Sequence, residues 1–249
     1  KYRSTIMLKK FLFYFFFMMV IFDCLAQNKK LLISPLRGFD NFYVYTTYQN
    51  VGNVLYPSNS MYLITKDGVV MFDTPWDTTQ FQPLLDSIKI KHNKKVIMCI
   101  STHHHDDRTI GLEFLREKGI KTFSSKLTLE LCKKYNEKQA QYVFNNDTIF
   151  NVGGYKFEVY YPGEGHSKDN IVIWFPKQKL LYGGCFIKST EANNLGNMDE
   201  VNVEKWKISA LNLLEKYPNP EMIIPGHFIW NKKALKHTIK LLKKYGNNK

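Results

Sequence analysis

Apolar residues recur along this chain with two periods. Runs that alternate, or that are continuously β-branched and aromatic, occur at Phe42–Tyr48, Met61–Thr65, Val69–Phe72, Val96–Ile100, Lys156–Tyr160, Ile171–Phe175 and Leu180–Tyr182. A shorter run, Met222–Pro225, ends in Pro-Gly-His. These segments predict strands. Between them the period changes. Phe81, Leu84, Leu85 and Ile88 follow helical spacing, as do Leu235, Ile239 and Leu242, and Val203, Trp206, Ala210 and Leu214 form a third apolar stripe. Strands followed by strand–helix units occupy the first half, and the second half repeats strands and then helices. Two β-rich halves, each flanked by helices, predict an α/β protein built as a layered sandwich.

The N-terminus obeys neither period. Phe11 to Phe22 is a run of twelve uncharged residues, nearly all strongly apolar, with Lys9-Lys10 before it and the small residues Cys24 and Ala26 after it. A basic start, a short apolar stretch and small residues at alternate positions are the pattern of a secretory signal peptide. We expect it to span residues 1–26, with cleavage after Ala26 and a periplasmic destination. Residues 27–249 then form one domain, since no internal repeat and no Gly/Ser or Pro-rich linker divides them. The run is short of the ~20 apolar residues that span a bilayer. Phe22-Asp23 places bulk and charge where a lipidated Cys24 would need small residues, so no membrane anchor is expected.

Composition sharpens this picture in two places. With 44% hydrophobic and 15% aromatic residues the chain can bury a sizeable core, which excludes disordered and collagen-like classes. The formal charge of +13 points towards an anionic partner. Residues 1–26 carry four of the basic residues and one acidic residue, so the domain retains +10. No nucleic-acid recognition motif accompanies that charge, and Lys232, Lys233, Lys236, Lys240, Lys243 and Lys244 fall on a helical stretch as a solvated face. Cysteine count matters more. Cys99, Cys132 and Cys185 remain after cleavage, and an odd number in an exported chain leaves a thiol in need of a purpose.

That purpose is visible beside the strand ends. His103, His105 and Asp107 follow Val96–Ile100 at alternate positions, so an extended or turning segment can aim all three at one point. His166 follows Gly163-Glu164-Gly165, Cys185 follows Gly183-Gly184, and His227 follows Pro225-Gly226. Three alternating donors and three more beside glycines make six, which suffice for two zinc ions with three protein ligands each, leaving positions open for water as catalytic zinc requires. A cysteine thiolate suits zinc's borderline-soft character. His104 and Asp106 are out of phase and are expected to support the loop. His92 and His237, on lysine-rich stretches, read as ordinary surface or core histidines.

Taken together, these residues resemble a known family. Phe72-Asp73-Thr74-Pro75-Trp76, His103-x-His105-x-Asp107, Gly165-His166, Cys185-x-x-Lys188 and Gly226-His227 are similar to the class B metallo-β-lactamases of the first subclass, and to their flavobacterial members in particular. The likeness spans residues 27–249. Glyoxalase-II-like, lactonase-like and RNA-processing relatives carry a histidine where this chain has Arg108, and an aspartate where it has Cys185. The resemblance implies a four-layer αββα sandwich. It implies a first zinc on His103, His105 and His166, and a second on Asp107, Cys185 and His227. The implied reaction is hydrolysis of the β-lactam amide bond of penicillins, cephalosporins and carbapenems by a zinc-bound hydroxide, with no acyl-enzyme, and hence antibiotic resistance.

Further roles come with the resemblance. Asp107 would orient the nucleophile, Lys188 would anchor the substrate carboxylate, and Asn194 would hydrogen-bond the lactam carbonyl; the adjacent Asn193 leaves that register open. Independently of the resemblance, Asp73 at a strand end reads as a brace for the His103 loop, Trp76 as a packing residue below the site, and Arg108 as lying beneath the second metal or forming a plain salt bridge. Tyr48–Ser60 is similar to a flap that closes over substrate. Cys99 and Cys132 read as buried thiols. The expected partner is a small-molecule β-lactam, with no nucleic acid and a monomeric chain. Two other readings stand beside this one: a related hydrolase of thioesters or lactones, and a non-catalytic exported zinc-binding protein.

Overall fold

Alternation along the strands sorts the side chains onto opposite faces of two sheets. The computed structural model describes residues 31–145 and 147–246; the expected signal peptide lies outside the described residues. The first sheet holds β1 (Leu31–Pro35), β2 (Phe42–Val51), β3 (Val54–Ile64), β4 (Val69–Phe72), β5 (Val96–Ile100), β6 (Lys121–Ser125) and β7 (Tyr142–Phe144), paired in chain order. Its first four strands are antiparallel and its last four parallel. Parallel neighbours need crossovers, and helices supply them. These are α1 (Phe81–His92) before β5, α2 (Asp106–Thr109) and α3 (Leu112–Glu117) before β6, and α4 (Lys126–Tyr135) before β7. The second sheet holds β8 (Thr148–Val152), β9 (Tyr155–Tyr160), β10 (Val172–Phe175), β11 (Leu180–Gly184) and β12 (Met222–Pro225). In that sheet α5 (Val203–Lys216) connects the parallel pair β11 and β12, and α6 (Ala234–Gly246) follows.

Strand β4 shows why four layers form. Val70 and Phe72 face inward and join Ile173, Phe175, Leu180 and Tyr182 of the second sheet in the central core. Val69 and Met71 face outward and pack with Leu84 and Ile88 of α1 and Leu112 and Leu115 of α3. The second sheet repeats the arrangement, with Leu181 and Ile223 packing outward on Val203, Trp206, Ala210 and Leu213 of α5 and on Leu235, Ile239 and Leu242 of α6. A strand buried on both faces must be apolar throughout, and β4 is. The central core interlocks edge to face: Phe42 on Phe175 at 4.8 Å, Phe72 on Phe157 at 5.4 Å and Phe72 on Phe175 at 5.6 Å. Each such side chain contributes about 1.5–3 kcal/mol by leaving water. The αββα sandwich expected from the resemblance is the observed fold.

The structure extends two strands well past their apolar patterns. β2 runs to Val51 and β3 starts at Val54, with Val51 paired to Val54, so the loop expected over Tyr48–Ser60 shrinks to a tight turn at Gly52-Asn53. Gly52 adopts φ +60°, which suits such a turn. Gln49, Asn50, Ser58 and Asn59 lie on these strands, and backbone pairing does not require their side chains to be apolar. Polar β6, Lys-Thr-Phe-Ser-Ser, escaped notice for the same reason. All of the expected lysine face, Lys232 through Lys244, is exposed.

β4, β5, β11 and β12 point their C-terminal ends at one edge of the sandwich. Asp73, the segment 101–107, Cys185 and His227 follow those four ends directly, and His166 lies in the connection that leads into β10.

Candidate metal centre

The segment after β5 starts at a bracket. Asp73 sits at φ +64°, a left-handed conformation that Asp tolerates better than most residues. Its carboxylate accepts from Thr102 N at 2.6 Å, Thr102 Oγ1 at 2.8 Å and the Tyr182 hydroxyl at 2.7 Å. Asp73 therefore braces the start of the histidine loop, as expected. Burial pushes its carboxyl up to about 6, against the pull of Arg108 and these hydrogen bonds.

From that bracket the alternating residues converge. His103 Nε2 lies 3.1 Å from His105 Nδ1, which lies 3.1 Å from His166 Nε2. On the other side, Cys185 Sγ is 3.4 Å from Asp107 Oδ2 and 3.3 Å from His227 Nε2, and His227 Nε2 is 3.5 Å from Asp107 Oδ2. The two groups adjoin, since His103 Nε2 is 4.0 Å from Asp107 Oδ1. Burial, reinforced by His105, holds His103 well below the usual imidazole range, and burial with Lys188 does the same to His166. His227 is lowered to about 4 by burial and by Arg108. These lowered values favour neutral rings at about pH 7, each with one nitrogen lone pair available to a metal. His227 directs Nδ1 at the Pro57 carbonyl oxygen, 2.7 Å away, so its proton sits there and Nε2 is free to coordinate.

This donor set fits zinc. Bonds of about 2.0–2.3 Å to N, O and S place tetrahedral ligands a little over 3 Å apart, which matches the His103–His105 and His105–His166 separations and all three of the second group. Zinc would also resolve the electrostatics. Burial raises the Cys185 thiol to about 12 although Arg108 pulls it down; a dication in the site inverts that balance and deprotonates a coordinating thiol outright.

Arg108 touches two members of the second group, Asp107 and Cys185, and forms the expected salt bridge. It is fully buried, pairs with Asp107 Oδ2 at 2.9 Å, and donates to Cys185 Sγ at 3.1 Å, Asn59 O at 2.6 Å and Gly226 O at 3.0 Å. Burial alone would raise the Asp107 carboxyl, but the adjacent guanidinium, helped by His227, keeps it well below the usual carboxylate range.

A cavity of about 490 Å³ opens over the donors, walled by Val51, Tyr56, Trp76, Lys188 and Asn194. A roomier one of about 620 Å³ is lined by Lys66, Lys94, Lys156 and Lys177 and holds none of the six donors, so it is not the site. Lys188 is only 8% exposed and lies 5.3 Å over the Trp206 ring. Asn194 is exposed, and its Oδ1 accepts from Gly196 N at 2.9 Å, which leaves its amide N–H groups free to face the cavity.

Two expected placements need correction. Trp76 does not pack below the site; it is half-buried in the cavity wall, edge-on to His227 at 6.4 Å. Asp106 does not face the protein; it is exposed and accepts from Trp76 Nε1 at 3.1 Å. His104 does support the loop, through Asp169 at 2.9 Å. Cys99 and Cys132 are buried free thiols. His92 meets the Tyr62 hydroxyl and His237 the Ala192 carbonyl. Sequence reasoning missed Asn59, Tyr182, Asp169 and Glu200. Asp169 had one signal, its place three residues after His166; the other three had none.

Over residues 54–227 the chain matches the Metallo-beta-lactamase superfamily. It is 45% identical over 220 residues to the metallo-beta-lactamase type 2 of Elizabethkingia meningoseptica, covering 88% of either chain. It is 42% identical over 220 residues to metallo-beta-lactamase IND-1 of Chryseobacterium indologenes, covering 88% of this chain and 92% of that one. Among solved structures, metallo-beta-lactamase IND-7 superposes with a TM-score of 0.83 at 42% identity, covering 87% of this chain and 100% of the other. A metallo-beta-lactamase from Pontibacter korlensis superposes with a TM-score of 0.82 at 33% identity, over 86% and 99%.

Proposed function

The chain belongs to the metallo-β-lactamase superfamily, and from that membership we propose that it hydrolyses the amide bond of β-lactams with two zinc ions. His103, His105 and His166 would hold one ion; Asp107, Cys185 and His227 would hold the other. The observation that carries this reading is the pairing of two three-donor groups, at tetrahedral spacing, with a cavity holding one buried ammonium and one free amide. Zinc supplies a Lewis acid and brings the pKa of a bound water from 15.7 to about 7, which yields a nucleophile at neutral pH.

The protein's own groups do the rest. Lys188 offers a desolvated ammonium to the carboxylate that β-lactams carry. Asn194 donates its amide to the lactam carbonyl and polarises it as negative charge develops on that oxygen. Asp107 engages Arg108, Cys185 and His227 through Oδ2, so Oδ1 is left to accept a hydrogen bond from the attacking water and orient it. Val51, Val54 and Leu55 flank the β2–β3 turn and are about half exposed or more; Val51 lines the cavity, so this apolar hairpin end would cover a bound substrate and exclude water. All of these groups come from one chain, so a monomer suffices. Among the described residues no helix is long and apolar enough to cross a membrane. Export to the periplasm by the N-terminal segment completes the proposal.

The decisive experiment measures zinc stoichiometry beside turnover of a carbapenem and of a glutathione thioester, with and without a chelator. Two zinc ions per chain and chelator-sensitive carbapenem hydrolysis are expected. Rapid thioester turnover without lactam turnover would overturn the substrate assignment. Tight zinc binding with no turnover would make this a zinc-binding protein.

A further inference from the structure

His104 stands between two of the metal-facing histidines and points away from them. Its side chain is 3% exposed, and its ring stacks on Tyr135 with centroids 5.2 Å apart and planes within 21°. One ring nitrogen, Nδ1, lies 2.9 Å from Asp169 Oδ1, which also accepts from Ser167 Oγ at 2.7 Å. The other, Nε2, lies 3.4 Å from Glu200 Oε2. That same oxygen is 3.7 Å from Nε2 of His105. It is a buried atom with no hydrogen bond of its own, on a side chain 22% exposed. One carboxylate oxygen thus faces two histidines, on the side opposite the cluster.

The tautomer of His105 follows from proton counting. A neutral imidazole carries one N–H and one lone pair. Nδ1 of His105 faces His103 and His166 at 3.1 Å, so a metal ligand at this position needs its lone pair on Nδ1 and its proton on Nε2. Glu200 Oε2 is the acceptor that Nε2 faces. We propose that Glu200 is a positioning residue for the metal centre: with one buried oxygen facing both His104 and His105, it holds His105 in the Nε2–H tautomer and aims Nδ1 at the metal. The proposal rests on the reading of His105 as a zinc ligand. It adds a chain of four side chains, Asp169, His104, Glu200 and His105, whose members come from the connections into β10, α2 and α5. Glu200 lies six residues beyond Asn194 on one connection, so the segment that presents the substrate amide also ties down a metal ligand.

His104, His105 and Glu200 each offer one donor atom within 4.8 Å of the others, a spacing that a third cation could also occupy. Such an ion would need Nε2 of His105 free of its proton while Nδ1 also coordinates, a second deprotonation that neutral imidazole resists. The positioning role needs no such step.

The test uses the full chain loaded with zinc, and its variants Glu200→Ala and Glu200→Gln. Zinc affinity is read by competition with a chromophoric chelator, metal geometry by the visible spectrum of the cobalt-substituted protein, and the tautomer by the ring N–H signal of His105 in ¹⁵N-histidine-labelled protein. Outer acceptors of this kind are worth roughly 10–100-fold in metal affinity, so Glu200→Ala should weaken one zinc by that factor. It should also alter the cobalt bands and speed exchange of the His105 ring proton, while the metal-free protein melts as before. Glu200→Gln keeps an acceptor oxygen and should restore part of each effect. Unchanged affinity, spectrum and exchange in Glu200→Ala, beside normal zinc binding by the unaltered chain, overturns the positioning role alone. Failure of the unaltered chain to bind zinc overturns it together with the proposed function. A third equivalent of zinc that disappears with Glu200→Ala overturns it in favour of a cation site.

Discussion

Arg108 concentrates the residue-scale energetics of this protein. Its guanidinium compensates Asp107 and satisfies two backbone carbonyls in a place without solvent. Removing one partner of a buried pair strands the other, at a cost of roughly 3–5 kcal/mol. Arg108→Ala should therefore lower unfolding stability by that amount in denaturant melts of the metal-free protein. Cys185→Ser tests a different term: the fold should persist, but zinc content should fall from two ions towards one and lactam turnover should drop sharply. Unchanged metal content in that variant contradicts the ligand assignment. Lys188→Ala removes a charge-assisted contact worth about 1.5–3 kcal/mol, so KM for a carboxylate-bearing lactam should rise about 10–100-fold. The six donors were legible at this scale because zinc chemistry accepts few residue types, three of them alternate along one segment, and glycine marks the other three. Asp169 and Glu200 were not, because an outer carboxylate is recognised by its distance to a ring nitrogen, and Glu200 is 95 positions from His105 in the chain.

Single backbone positions decide how the elements meet. Gly226 ends β12 with its Cα pressed against the site: a Cβ there would lie 2.7 Å from Cys185 Sγ and 2.8 Å from both Arg108 Nη2 and Cys185 N. Gly226→Ala should thus cost stability and zinc affinity together, read by thermal melts and zinc titration; normal values for both would mean that the β11–β12 contact yields easily. The β2–β3 hairpin offers a contrast. Its tip residues Val51 and Leu55 are 50% and 53% exposed, so the double change to Ser should leave the melting temperature within error while raising KM for bulky lactams. This hairpin also shows the limit of reading elements by pattern. Tyr48–Ser60 lacks apolar alternation, yet it pairs almost completely, because ladder hydrogen bonds come from the backbone and are blind to side-chain polarity.

Whole-molecule stability is linked to pH through the buried donors. His103, His105, His166 and His227 all have imidazoles lowered in the fold, chiefly by burial, His227 from 6.5 to about 4. The unfolded chain takes up these protons first. Their contribution is therefore complete above 6.5 and is lost as pH falls through the folded values. Asp73 acts in the opposite sense: its carboxyl, raised by burial from 3.8 to about 6, favours the fold below 3.8 and loses that contribution as pH rises through about 6. His104, held by Asp169, and Glu137, raised by burial, act in the same sense as Asp73. The four cluster histidines together with His92 outnumber these three, so the melting temperature of the metal-free protein should fall on acidification from 6.5 towards 4. Zinc needs the neutral rings and binds only the folded site, so adding it should raise the melting temperature above 6.5 and have less effect at the acid end. A melting temperature that rises on acidification would show that the histidine cluster is not neutral.

By itself the sequence determined the layered α/β class, the two halves, the six donors and the lysine that follows Cys185 by three. Each is a local property: hydrophobic period sets the face of a strand or helix, and residue type sets what an atom can coordinate. Tertiary structure alone decided that four strand ends from two sheets meet at one edge, that Arg108 serves Asp107, Cys185 and two carbonyls at once, and that Trp76 lines the cavity. It also decided that Glu200 reaches His105. Those facts are distances between residues far apart in the chain, and they exist only once burial of the central core has fixed the sheets against each other.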